Sequence, residues 1–348
     1  MHLDTRASVA EGMLVSSPSS RRYLTDFPSS DGAVVITKNE AVFFTDFRYF
    51  EKAAKTVTAC KVQLLQGLKK DVLPFLQTQG VHTLYVQTDE VSLDTFARWQ
   101  QVFEGITLSD EPKLSHLLEN QRSVKREEEI GRIQVAQEMT DQTFSYILER
   151  IEVGRSEIDI MLDMEFYMRR LGSEGVSFDF IVVSGKNSSL PHGVPTDKKI
   201  ENGDFITMDF GARVGGYCSD MTRTIAVGNI TDKQKFVYDT VLKAQELAFK
   251  EIKPTAICKD IDAVARNFIN ANGFEGKFGH GLGHSLGLDI HENPSFNTRD
   301  MTPLESGMVL TVEPGIYLEF GVRIEDMALI TDNGYENLTN SPKELIIL

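Results

Sequence analysis

Two strand-like stretches, residues 205–212 and 217–227, are joined by only four residues, Arg213-Val214-Gly215-Gly216. So short a glycine-bearing connection forces an antiparallel hairpin, and no other feature constrains the fold as tightly. If the hairpin turns at Val214-Gly215, Gly216 faces Arg213, Tyr217 faces Ala212 and Asp220 faces Asp209. Directly opposed side chains sit about 5 Å apart at Cβ, and like charges there destabilise. Aspartate is already disfavoured inside strands, so an opposed pair needs compensation, which a cation supplies.

The same arithmetic applies near the C-terminus. Glu313 precedes Pro314-Gly315, and a hairpin turning around Glu319 sets it opposite Glu325. The flanking Val312, Ile324, Met327 and Leu329 are apolar and imply a buried sheet. Four buried carboxylates do not all stay ionised without balancing charge. Two divalent ions match them, and a hydroxide between the ions leaves the cluster near neutral.

Three of the seven histidines fall in one segment that runs from Gly279 to Glu292 and contains His280, His284 and His291. Glycines at 279, 281, 283 and 287 exclude a comfortable helix and let the backbone pass close to a neighbour while the imidazoles converge. A fourth, His192, lies in Leu190-Pro191-His192-Gly193 just ahead of the aspartate hairpin. One imidazole with four carboxylates and no thiolate is a hard donor set, suited to manganese, cobalt or iron, with zinc an alternative. Cys218 reads as a buried filler.

The 348-residue length suits two domains. Residues 1–118 alternate short strands and helices: a hairpin of 33–37 and 41–45, strands at 62–65 and 83–86, helices at 71–77 and 93–103. This predicts an α/β domain, followed by a charged linker over 119–129. In 130–348, helices at 130–151 and 156–171 precede strands at 178–183, 205–212 and 217–227. Helices at 232–251 and 260–270 and strands at 308–313, 322–331 and 344–347 follow. Helices grouped against antiparallel strands predict an α+β catalytic domain.

A net charge of −15 argues against a nucleic-acid partner. No run approaches the ~20 apolar residues of a membrane span, and residues 1–15 lack the apolar stretch of a leader. Three widely spaced cysteines point to reduced thiols and a cytoplasmic setting.

These segments resemble the dinuclear metallopeptidases of the pita-bread fold, which include prolidase, Xaa-Pro aminopeptidase and methionine aminopeptidase, with creatinase as a relative. The resemblance rests on Leu190-Pro191-His192-Gly193, Met208-Asp209-Phe210-Gly211, Ser219-Asp220-Met221-Thr222-Arg223-Thr224, the Gly279–Glu292 run, Val312-Glu313-Pro314-Gly315-Ile316-Tyr317 and Val322-Arg323-Ile324-Glu325-Asp326. It implies that Asp209 chelates one metal, that Asp220 and Glu325 bridge both, and that His284 and Glu313 complete the second. His192 or His291 would polarise the substrate carbonyl, with Glu313 shuttling a proton. His280 and Arg323 would contact substrate, though Arg323 could equally orient Asp209 and Glu325. Stretches 22–27 and 44–49 look like the smaller creatinase/prolidase-type domain, which methionine aminopeptidase typically lacks. Together with the chain length this favours a prolidase cleaving Xaa-Pro dipeptides with manganese or cobalt. The alternatives are an Xaa-Pro aminopeptidase on longer peptides and a creatinase-like C–N hydrolase. The family also suggests a homodimer.

Overall fold

The computed structural model describes residues 10–348. Most of the leaderless stretch expected at the N-terminus, residues 1–9, therefore lies outside the described residues. The chain divides into two compact units, the first ending at Arg122 and the second spanning Ser123–Leu348.

The first unit is built on a six-stranded mixed sheet. Its order is Lys61–Leu64, Ala41–Thr45, Ala33–Thr37, Glu11–Val15, Thr83–Val86, Thr107–Ser109. The expected hairpin is present, with Ala33 opposite Phe44 and Ile36 opposite Ala41. Alternate residues serve opposite faces: Leu14, Val35 and Phe44 enter one apolar core, Met13, Val34 and Phe43 another. A sheet buried on both faces loses the polar alternation that marks half-exposed strands, so the central strand Glu11–Val15 escapes a pattern search. The expected helices form at Leu73–Thr78, after a π-turn over Leu68–Val72, and at Leu93–Val102, capped by Ser92.

The linker expected over 119–129 is not an open segment. One helix, Lys113–Ser123, runs into it and another, Glu127–Leu148, starts inside it. The charge density there belongs to helix surfaces and to a cap. Leu114 and Leu118 are buried, and the Glu129 carboxylate accepts from the Arg126 backbone N–H at 2.8 Å.

In the second unit two helix pairs cover two antiparallel sheets. Glu127–Leu148 and Glu157–Arg170 pack with the three-stranded sheet Met221–Ala226, Phe205–Phe210, Ile181–Ser184. Asp232–Glu251 and Cys258–Ile269 pack with the five-stranded sheet Glu292–Phe296, Gly283–Ser285, Val309–Val312, Asp326–Thr331, Gly334–Asn337. Ser156 and Thr231 cap the second and third helices, accepting from the N–H groups of Asp159 and Gln234. The stretch expected as a strand at 344–347 makes only an isolated parallel bridge, Ala226 with Ile347.

The aspartate hairpin turns one residue later than expected. Val214 pairs with Tyr217 around Gly215-Gly216, whose φ angles are 57° and 87°. Two successive positive φ values define the turn that matches the twist of the flanking strands, and a turn centred on Val214 would place a branched side chain there instead. The register therefore shifts by two residues, and Thr222, not Asp220, lies opposite Asp209. An even shift preserves the face on which side chains emerge. The second hairpin keeps the expected register, because Val312 pairs with Asp326 and Gly315 with Arg323 on either side of the two glutamates.

Candidate metal centre

Each carboxylate sits where a ladder ends or breaks. Asp209 is the penultimate residue of Phe205–Phe210. Asp220 lies between Tyr217–Cys218 and Met221–Ala226. Glu313, with Pro314 beside it, separates Val309–Val312 from Gly315–Tyr317, and Glu325 separates Gly321–Arg323 from Asp326–Thr331. His284 is the middle residue of the short strand Gly283–Ser285. A Cβ on Gly283 would lie 1.9 Å from the Thr311 carbonyl oxygen, so only glycine lets this strand close on its neighbour.

Folding brings ligand atoms of Asp220, His284 and Glu325 within 4.8 Å of one another. His284 Nε2 is 3.6 Å from Asp220 Oδ2 and 3.5 Å from Glu313 Oε1. Its Nδ1 faces the Ser285 carbonyl at 3.1 Å, which assigns the ring proton to Nδ1 and turns the Nε2 lone pair towards the acids. Asp209 is turned differently: its Oδ2 accepts from the Arg323 guanidinium. Arg323 also donates to Thr222 Oγ1 at 3.0 Å, the Pro191 carbonyl at 3.0 Å and Tyr317 Oη at 3.1 Å. With those four partners it fixes the acid cluster. Thr222 continues the network, donating to Glu325 Oε2 at 2.6 Å.

The electrostatics of this cluster call for cations. Burial, then the charges of Glu325, Asp209 and Glu313, hold the Asp220 carboxyl well above its ordinary range. Burial, then Glu313 and Asp209, does the same to Glu325. Burial pushes Glu313 up to about 8, with Arg323 opposing and Asp209 adding. Burial, with His291 nearby, drives His284 down to about 4, so it is a neutral donor. Asp209 Oδ1 and Asp220 Oδ1 are buried without a hydrogen-bond partner among the described residues, each at a cost of about 1–3 kcal/mol. Oxygen-rich, negative and partly unsatisfied, the set fits hard divalent ions.

The cluster forms part of the wall of a cavity of about 900 Å³. His192 and His291 line it and are exposed to it, and the His291 ring meets that of His284 edge-on at 4.5 Å. His280 also lines the cavity, but its ring nitrogens lie 2.8 Å from the Gly281 carbonyl and 2.9 Å from Tyr317 Oη. Apolar Ile158, Met161, Phe178 and Ile290 face the same space. Thr222, Tyr317 and Thr311, whose hydroxyl donates to Glu313 at 3.3 Å, escaped the sequence analysis. Thr222 and Tyr317 stand in the resembling motifs without an assigned role, and Thr222 lies two residues from Asp220 on the same face; Thr311 carries no comparable signal.

Among the described residues no helix is long and apolar enough to cross a membrane. Residues 5–124 match the creatinase/prolidase N-terminal domain, and residues 131–332 match metallopeptidase family M24. The chain is 35% identical to the Xaa-Pro dipeptidase of Pyrococcus furiosus, over 92% of this chain and 90% of that protein. The structure of an Xaa-Pro dipeptidase from Bacillus anthracis is 41% identical and superposes with a TM-score of 0.92, covering 97% of this chain and 95% of that one. An X-Pro aminopeptidase from Thermotoga maritima superposes with a TM-score of 0.91 at 35% identity, covering 97% and 98%. The match over residues 131–332 spans more than half of the sequence, and the chain belongs to metallopeptidase family M24.

Proposed function

We propose that this chain is a metal-dependent exopeptidase hydrolysing Xaa-Pro bonds, and foremost a dipeptidase. The observation that carries it is the cluster of Asp220, His284 and Glu325 within 4.8 Å, with orphaned Asp209 and Asp220 oxygens, in the wall of the cavity. Asp209, Asp220, His284, Glu313 and Glu325 would hold two divalent ions, manganese or cobalt before zinc or iron. Bound there, such ions supply Lewis acidity and a water deprotonated near neutral pH.

The chain's own residues do the rest. Glu313 Oε1 takes the proton lost by the attacking water and delivers it to the leaving proline nitrogen. His192 and His291 donate to the carbonyl oxygen as it gains charge. Arg323 holds Asp209 and, through Thr222, Glu325, which supports a positioning role over direct substrate contact. The Xaa-Pro amide lacks an N–H and carries a rigid ring, and the apolar wall around Ile290 and Phe178 is suited to it. His280, already engaged at both nitrogens, supports the substrate wall through Tyr317.

Ligand pockets run from roughly 300 to 1,000 Å³, and this one is at the upper end. That size supports a second reading, an Xaa-Pro aminopeptidase acting on longer peptides, and the similar Thermotoga maritima structure is an X-Pro aminopeptidase. Three free cysteines suit a reducing cytoplasm, and the homodimer expected from the family belongs to the same proposal. The test is hydrolysis of Leu-Pro and Met-Pro against Xaa-Pro-Xaa tripeptides after chelation and re-addition of manganese or cobalt. Turnover of the dipeptides above the tripeptides supports the proposal; no metal-restored turnover of either removes it.

A further inference from the structure

Glu157 is wholly buried and carries a carboxylate with no cation paired to it among the described residues. It is the first residue of the helix Glu157–Arg170, where backbone N–H groups point outward and negative charge is favoured. Five neutral donors surround it. Oε1 accepts from the Ser184 backbone N–H at 2.7 Å and the Ser184 hydroxyl at 2.9 Å. Oε2 accepts from the Thr196 N–H at 3.0 Å and its hydroxyl at 2.7 Å. The Asn187 amide reaches both oxygens at 3.2 Å.

These donors are the two ends and the first turn of a single loop, residues 184–196, and that loop carries His192. Its centre is held from elsewhere: Arg323 donates to the Pro191 carbonyl, and the Gly321 N–H donates to Ser188 Oγ at 2.9 Å. His192 itself is exposed to the cavity and makes no hydrogen bond of its own among the described residues. Its position is therefore set by the loop, and the loop's ends meet on one carboxylate. An anion serves better than an apolar residue there, because all five donors are satisfied at once and charge-assisted bonds are the stronger kind. A neutral glutamine would turn one of its own N–H groups towards donors.

We propose that Glu157 is a positioning residue that fixes His192 over the metal centre by clamping both ends of the 184–196 loop. This deepens the peptidase reading and rests on it for the catalytic consequence, though not for the clamp.

The test compares Glu157→Gln in the full chain with wild type, in two arms. Amide hydrogen exchange, read without substrate, should rise at least tenfold in 184–196 and stay unchanged in the N-terminal unit. With manganese and Leu-Pro, kcat should fall about tenfold while KM stays within twofold, and the same substitution in a His192→Ala background should cost no further kcat. Thr196→Val, which removes one donor at an exposed position, gives a smaller loosening of the same loop and stands in if Glu157→Gln does not fold. Unchanged exchange in 184–196, or an equal loss of kcat with and without His192, overturns the proposal. Loosened exchange in the Glu157→Gln variant, alongside a wild type that cleaves no Xaa-Pro peptide, would preserve the clamp and discard the peptidase reading.

Discussion

Replacing Glu313 with glutamine should make the metal-free protein more stable at alkaline pH while abolishing turnover. Glu313 has a folded-state pKa near 8 against an ordinary 4.5. A carboxyl raised in this way favours the native state while it is protonated there. Its contribution is complete below about 4.5 and is lost as pH rises towards 8, where the unfolded chain holds fewer protons. The loss accrues at about 1.4 kcal/mol per pH interval, giving a ceiling of roughly 5 kcal/mol. The charges of Glu313, Asp220 and Glu325 act on one another and Glu313 keeps 16% of its side chain exposed, so about half of that ceiling, ~2–3 kcal/mol, is expected at the residue. In a unit of this size that corresponds to about 5–10 °C in Tm. Thermal unfolding of chelated protein at pH 6 and pH 9 measures it. Wild type should lose Tm between the two, Glu313→Gln should lose less, and added manganese should reverse the order by stabilising wild type more. Equal metal stabilisation of both proteins, or a metal-free variant less stable than wild type at pH 9, would refute the charge-repulsion argument.

Gly283→Ala should leave an expressible protein with manganese uptake lost, read by metal analysis, because its Cβ would meet the Thr311 carbonyl at 1.9 Å and displace His284. Arg323→Lys keeps the charge but gives up the fork reaching Asp209, Thr222, Pro191 and Tyr317; manganese affinity by calorimetry should fall about 10–100-fold. Lys125 has a side chain 1% exposed, donating to Ser285 at 2.9 Å and to Glu292 at 3.3 Å, each next to a site histidine. Lys125→Met should destabilise by about 3–5 kcal/mol in denaturant unfolding, and Glu292→Gln added to it should restore part of the loss.

The acid cluster was legible because hairpin geometry converts residue numbers into neighbours. The Glu313–Glu325 register expected for a turn around Glu319 is the one observed. The aspartate hairpin was read two residues out of register because Gly215 and Gly216 both take positive φ, which their identity permits without announcing. The expected facing of Asp209 and Asp220 still led to one site, since an even error leaves both on the same side of the sheet. What escaped was long-range and polar. Lys125 lies 160 residues from Ser285 and Glu157 lies 39 from Thr196, and buried polar contacts of this kind have no periodicity. The division between the two units, after Arg122, falls within the charged run at 119–129, but the helices reaching into that run were not legible, since local composition does not separate a helix surface from a linker.

Glu313 and Glu325 interrupt two ladders that otherwise continue through them in a common register. The tip at Leu318-Glu319-Phe320 lies beyond both glutamates and sets the register of neither flank, although Phe320 itself is buried against Phe205. Within either arm, removing a single residue would send one glutamate out to the far face, whereas removing two would slide it along the same one. For ligands held this way, parity constrains the chain more strictly than length.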